Sequence, residues 1–107
     1  MIVETKKILI DSKLECASGE ALESFDLMTD FYGELNEKKD NAVLVCHASS
    51  GSHHAAGKRD SNVGWWDEFI GPDKTIDTNR FFVVSANNLG SCFGSSGPLS
   101  KDKNGER

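Results

Sequence analysis

The sequence predicts an α/β fold in which an antiparallel strand pair leads into a mostly parallel sheet, incomplete within its 107 residues. Three observations carry that prediction. Residues 41–46 and 80–86 are continuous apolar runs, the character of strands buried on both faces. Residues 47–79 lie between them, enough chain for the crossover that parallel neighbours need. Residues 25–32 alternate apolar and polar positions and stop at Gly33, as a half-exposed strand does.

In chain order, residues 7–11 with Leu14 form a first strand, and Ser18, Gly19 and Glu20 mark a turn. Residues 25–32 return antiparallel to it, and residues 35–40 are a polar loop. The run at 41–46 is the first strand of the parallel part. Residues 63–70 fit a short helix closed by Gly71 and Pro72, and 80–86 is the last strand. Beyond it, residues 94–107 hold only Pro98 and Leu99 as apolar material and show no period, as in a tail or an interrupted connection. The chain is therefore read as one portion of a single domain, without internal repeats. One short helix cannot cover two faces of a sheet, so apolar surface and two strand edges should be left open.

Charge narrows the partners. Twelve basic against 17 acidic residues give a net charge of −5, and the pairs Lys6-Lys7 and Lys38-Lys39 form no basic stripe. Nucleic acid and anionic membranes are poor partners for such a surface. No apolar run approaches membrane-spanning length, and residues 1–7 lack the core of a signal peptide. Cys16, Cys46 and Cys92 are odd in number and widely spaced, which fits free thiols in a cytoplasmic protein. Cys46 is expected in the core, and Cys92 as a small packed residue near the pocket.

Two segments carry candidate chemistry. The first follows the strand at 41–46 and comprises His47, Ala48, Ser49, Ser50, Gly51, Ser52, His53 and His54, with Gly57 beyond. Small residues at a strand's C-terminal end let backbone N–H groups face a bound group. Composition alone favours a plain surface loop here. The second, Asn87, Asn88, Leu89, Gly90 and the glycine- and serine-rich stretch to Pro98, follows the last strand and opens at the same sheet edge. His47, His53 and His54 suggest a metal only weakly: adjacent histidines diverge, and no ligand stands at a helical offset from them, so no metal site is expected. Residues 90–94 mimic a nucleophile elbow centred on Cys92, but no strand leads directly into them and no helix follows. Trp65, Trp66 and Asp67 suit a core wall or a pocket rim.

Taken in order, the segments at 41–48, 52–57, 64–67, 70–72, 76–78, 80–84 and 87–98 resemble the N-terminal third of homoserine O-acyltransferases. Residues 32–36 and Leu14-Glu15 add weaker support. The resemblance implies the α/β-hydrolase fold and transfer of an acyl group from acyl-CoA, as succinyl-CoA or acetyl-CoA, to the hydroxyl of L-homoserine in methionine biosynthesis. It implies a ping-pong Ser-His-Asp mechanism whose triad lies beyond residue 107, no bound cofactor, and a homodimer at full length. On it, the Ser49 backbone N–H is an oxyanion-hole donor, standing where the family usually has leucine. His47, Ala48, Ser50, Gly51, Asn88, Leu89 and Gly90 become substrate-pocket positions. Thr29 and Phe31 depart from the family pattern in the second strand, which bears on packing. The form of residues 89–94 leans toward succinyl transfer. Competing readings are a serine O-acyltransferase or esterase of the same fold, and a non-catalytic small-molecule-binding module.

Overall fold

A computed structural model describes residues 1–98, 100 and 101; Leu99 and residues 102–107, most of the polar ending noted above, lie outside the described residues. Its strands are β1 (Val3–Ile10), β2 (Leu14–Glu15), β3 (Ala21–Leu22), β4 (Phe25–Tyr32), β5 (Ala42–Cys46), β6 (Lys58–Arg59), β7 (Asn62–Val63), β8 (Ile70–Gly71), β9 (Ile76–Asp77) and β10 (Phe82–Ala86). Four of them build the main sheet in the order β1-β4-β10-β5. β1 and β10 both run antiparallel to β4, while β10 and β5 are parallel. The expected hairpin and parallel pair are therefore both present, joined through β4. β2 and β3 form a small antiparallel ladder around the turn at Gly19, whose φ of 91° only glycine adopts readily.

Register decides which residues face the core. Tyr32 opposes Val83, and Asp30 opposes both Thr5 and Ser85, so these side chains share one face with Val43 and Val45. The crossover between β5 and β10 lies over that face. Its Ala55, Ala56 and Ile70 join Tyr32, Val45 and Val83 in the buried core, with Val43, Ile76 and Phe81 packed around them. Gly33 lets the chain leave β4 beside the crossover: a Cβ there would stand 2.5 Å from the Phe81 carbonyl.

Of three expectations, two are corrected here and one is met. Residues 63–70 are not a helix. Val63 ends β7, Ile70 begins β8, and only one irregular turn lies between, with Phe69 N–H donating to Trp66 O at 2.9 Å. The Trp65 and Trp66 amides donate instead to His54 O and Ala55 O, so the preceding loop captures the groups that a helix start would present. Second, the apolar surface expected to stay open is found: β5 and β10 are covered on one face only, and Leu44, between partly buried Val43 and buried Val45 in β5, is 68% exposed. Their continuous apolar character fits a second covering layer that the described residues do not supply. Third, Cys46 is exposed rather than in the core, because it shares the open face with Leu44.

Candidate functional site

Because β5 and β10 run parallel, the loops that follow them leave the same edge of the sheet. His47 ties the two together. Its Nε2 accepts the Asn88 backbone N–H at 3.0 Å, and its Nδ1 lies 2.5 Å from Ala48 O. With Nε2 as the acceptor, the geometry assigns the ring N–H to Nδ1, facing the carbonyl. His47 is buried, so this predicted pocket residue acts as a strut between the loops rather than as an open surface.

After it, Gly51 N–H donates to Ala48 O at 2.8 Å, closing a tight turn with Ser49 and Ser50 at its tip. Gly51 is needed close in: a Cβ there would stand 2.9 Å from His47 Cβ. Ser49 and Ser50 are exposed, and among the described residues neither of their amides donates to a backbone carbonyl. Two adjacent unpaired N–H groups on a turn at the C-terminal edge of a sheet can hold an anionic oxygen.

The far end of the same loop is anchored in the core. Tyr32 Oη accepts the Ala55 and Ala56 amides at 3.0 and 3.1 Å and donates to Asp30 Oδ2 at 2.8 Å. Asp30, fully buried, also accepts from the Thr5 hydroxyl at 2.5 Å and from Arg59 Nη2 at 3.3 Å. Burial of Tyr32 pushes its phenol up, well above the ordinary range, with Asp30 adding to the shift. His53 is held down by burial, partly opposed by the Asp30 charge. The His54 ring faces Asn62 O at 3.1 Å and Asp30 at 3.7 Å, while His53 Nδ1 has no partner. Among the described residues no group of three His, Cys, Asp or Glu side chains stands close enough to hold a metal ion.

The second loop is pinned along β4. Ser95 Oγ donates to Asn87 O at 2.6 Å and accepts Met28 N–H at 2.9 Å; Ser96 N–H donates to Asp26 O at 2.8 Å. Asn87, fully buried, also accepts the Ser91 hydroxyl. Cys92 is exposed at this loop's outer side, which corrects the expectation of a packed residue: Ser91 and Ser95 take the inward positions. Residues 91–96 are bends and coil without a helix, so the elbow-like spacing there has no elbow geometry. Leu89 and Gly90 line an open cleft of about 680 Å³ with Leu9, Leu22, Phe25 and Pro98. His47, Ala48, Ser49, Ser50, Gly51 and Asn88 lie outside it, so the predicted pocket residues divide between a loop tip and a cleft.

Asp30, Tyr32 and Arg59 were not singled out as site residues by the sequence, and Asn87 and Ser95 were marked only as members of the second loop. Their partners lie far away along the chain, and the alternation of residues 25–32 marks a strand without marking which of its polar side chains is buried. Trp65 and Trp66 are stacked at 5.5 Å and exposed, with Trp65 Nε1 donating to Ser52 O at 2.8 Å.

A parallel strand pair with two cross-bonded loops at its C-terminal edge, extended by an antiparallel hairpin, is part of an α/β-hydrolase sheet. Solved structures agree. The chain superposes on a homoserine O-acetyltransferase from Bacillus anthracis with a TM-score of 0.86 and 34% identity, covering 99% of this chain and 31% of that one. A crystallised esterase gives a TM-score of 0.81 at 35% identity, over 96% of this chain and 30% of its own. Within that class, the chain's similarity to the homoserine O-acyltransferases runs along nearly its whole length. It is 58% identical over 104 residues to the homoserine O-succinyltransferase of Marinobacter nauticus, 94% of this chain and 27% of the relative. The chain thus spans about a quarter of the length of the curated relatives it matches. No protein-family model matches it. No helix among the described residues is long and apolar enough to cross a membrane.

Proposed function

We propose that these residues are part of a homoserine O-acyltransferase and supply one half of its oxyanion hole. The observation that carries this reading is the 58% identity to a homoserine O-succinyltransferase along 94% of the chain. The unpaired Ser49 amide at the sheet edge supports it. In this reading the nucleophilic serine, its histidine and an aspartate come from segments other than these 107 residues of one α/β-hydrolase domain. The serine hydroxyl adds to the thioester carbonyl of an acyl-CoA while the histidine takes its proton. The C–S bond then breaks, and CoA leaves as a thiol carrying that proton. The homoserine hydroxyl attacks the acyl-serine, passing its proton through the histidine to the departing serine oxygen, and O-acylhomoserine is released. Ser49 N–H steadies the oxyanion of each tetrahedral intermediate, a donor worth about 3 kcal/mol. His47, Ala48, Ser50, Gly51, Asn88, Leu89 and Gly90 shape the surrounding pocket. Succinyl-CoA is the proposed donor, the protein works in the cytoplasm, and the full-length enzyme is a homodimer.

A second reading is favoured by the esterase likeness: the same oxyanion loop serves ester hydrolysis, with water replacing homoserine. Assay of the full-length protein carrying this segment separates them. Thiol release from succinyl-CoA or acetyl-CoA that depends on homoserine, with O-acylhomoserine identified by mass, is the expected result. Rapid aryl-ester hydrolysis with no homoserine-dependent thiol release would replace it with the esterase reading. Transfer to serine in preference to homoserine would change the acceptor. For the donor role, Ser49→Ala should keep activity. Ser49→Pro, which suits the second position of a turn but lacks the N–H, should lose about a hundredfold in kcat.

A further inference from the structure

Tyr32 holds a place that the reaction as proposed does not explain. A phenol has one proton to give and two lone pairs to accept with. Here the proton goes to Asp30 Oδ2 at 2.8 Å, nearer than the other acceptor in reach, His53 O at 3.3 Å, and the lone pairs take the amides of Ala55 and Ala56 at 3.0 and 3.1 Å. The hydroxyl is therefore saturated inside a fully buried site. Its acceptor is braced in turn: Asp30 receives the Thr5 hydroxyl and Arg59, and Arg59 Nη2 also donates to Thr5 Oγ1 at 2.7 Å. One connected set of bonds thus runs from β1 through β4 and the β6–β7 ladder into the loop.

The loop has two fixed points, and the donor turn hangs between them. At the near end His47 binds Asn88 N–H; at the far end Tyr32 binds Ala55 and Ala56. The turn at Ser49 and Ser50 is exposed. A backbone donor stabilises an oxyanion only when it is already in place, because misplacement of about 1 Å costs on the order of a hundredfold in rate.

We propose that Tyr32 is a positioning residue for acyl transfer: with Asp30 as its braced acceptor, it fixes the far end of the loop that presents the Ser49 amide. This rests on the acyl-transfer reading for the identity of the reaction, but not for the anchoring itself.

The test uses the full-length protein and its Tyr32→Phe variant, with site-resolved amide hydrogen exchange beside kinetics. In the unsubstituted protein the Ala55 and Ala56 amides should exchange far more slowly than those of Ser49 and Ser50. Tyr32→Phe should release Ala55 and Ala56 and lower kcat by about tenfold or more, leaving KM for the acceptor within about threefold. Released amides with kcat unchanged would overturn the proposal. So would equally fast exchange at all four amides in the unsubstituted protein, a result that holds even if the variant fails to fold. Aryl-ester hydrolysis by the same serine reads the loop whether or not homoserine is the acceptor. Loss of the homoserine reading therefore stays separate from loss of this one.

Discussion

Gly64 stands where it does because of an atom it lacks. A Cβ there would come within 2.3 Å of Ala56 N and 2.5 Å of Ala55 O, so the turn that carries Trp65 and Trp66 can press its backbone directly on the loop. That requirement was invisible in the sequence, where Gly64 read as part of a helix. His47, Ala48, Ser49 and Gly51 could be marked in the sequence as a loop following an apolar strand, although composition alone favoured a plain surface loop there. Their mutual geometry was not legible, since the His47–Asn88 bond joins residues 41 positions apart. His53 allows a prediction at this scale. Burial lowers its folded-state pKa below the ordinary 6.5, so the folded state holds fewer protons than the unfolded one as the pH falls. The associated stability is complete above 6.5 and is lost as the pH falls through the lower folded value. Thermal unfolding followed from about pH 8 to about pH 5 should show stability declining on the acid side, and His53→Gln should remove part of that decline. An identical slope in the variant would mean that other groups carry it.

At the scale of elements, the strands at 25–32, 41–46 and 80–86 were read from their patterns to within two residues, but the first strand begins at Val3 and leaves Leu14 to β2, and the crossover was misread. Strand patterns are local and survive any tertiary context. The crossover has no such pattern: its Trp65 and Trp66 amides pair with carbonyls ten or more positions earlier, so its conformation is set by the loop that it packs on. The loop after β10 shows the same dependence. It reads as a flexible glycine-serine stretch, yet Ser95 and Ser96 extend the pairing along β4. Ser95→Ala would leave Met28 N–H and the Asn87 amide without their buried partner, a loss of about 2 kcal/mol. A lower urea midpoint, by that loss divided by the slope, with the slope itself unchanged, is expected. A change within experimental scatter would show that water replaces the hydroxyl and that the loop is not pinned there.

Across the whole molecule, the sheet's two faces are unequal. Tyr32, Asp30, Val83, Ser85 and Val45 are buried under the crossover, whereas Leu44 and Cys46 on the opposite face are exposed. Phe31 and Phe82 stack on that same open face at 5.5 Å and are only partly covered. Continuous apolar strands had pointed to a two-sided sheet, and the open face is what that composition looks like with one layer in place. An apolar face beside the unpaired edges of β1 and β5 tends to associate with whatever presents a similar surface. The 107 residues produced alone should therefore bind a hydrophobic dye and elute above monomer size as concentration rises. Leu44→Lys, placed on the exposed β5 edge, should reduce both effects because it adds charge where strands and apolar faces would meet. In the full-length protein the same substitution should be harmful, costing several kcal/mol if a second layer buries the lysine. A dye-silent, monomeric 107-residue chain, or a full-length Leu44→Lys protein as stable as its parent, would mean that this face is made for water.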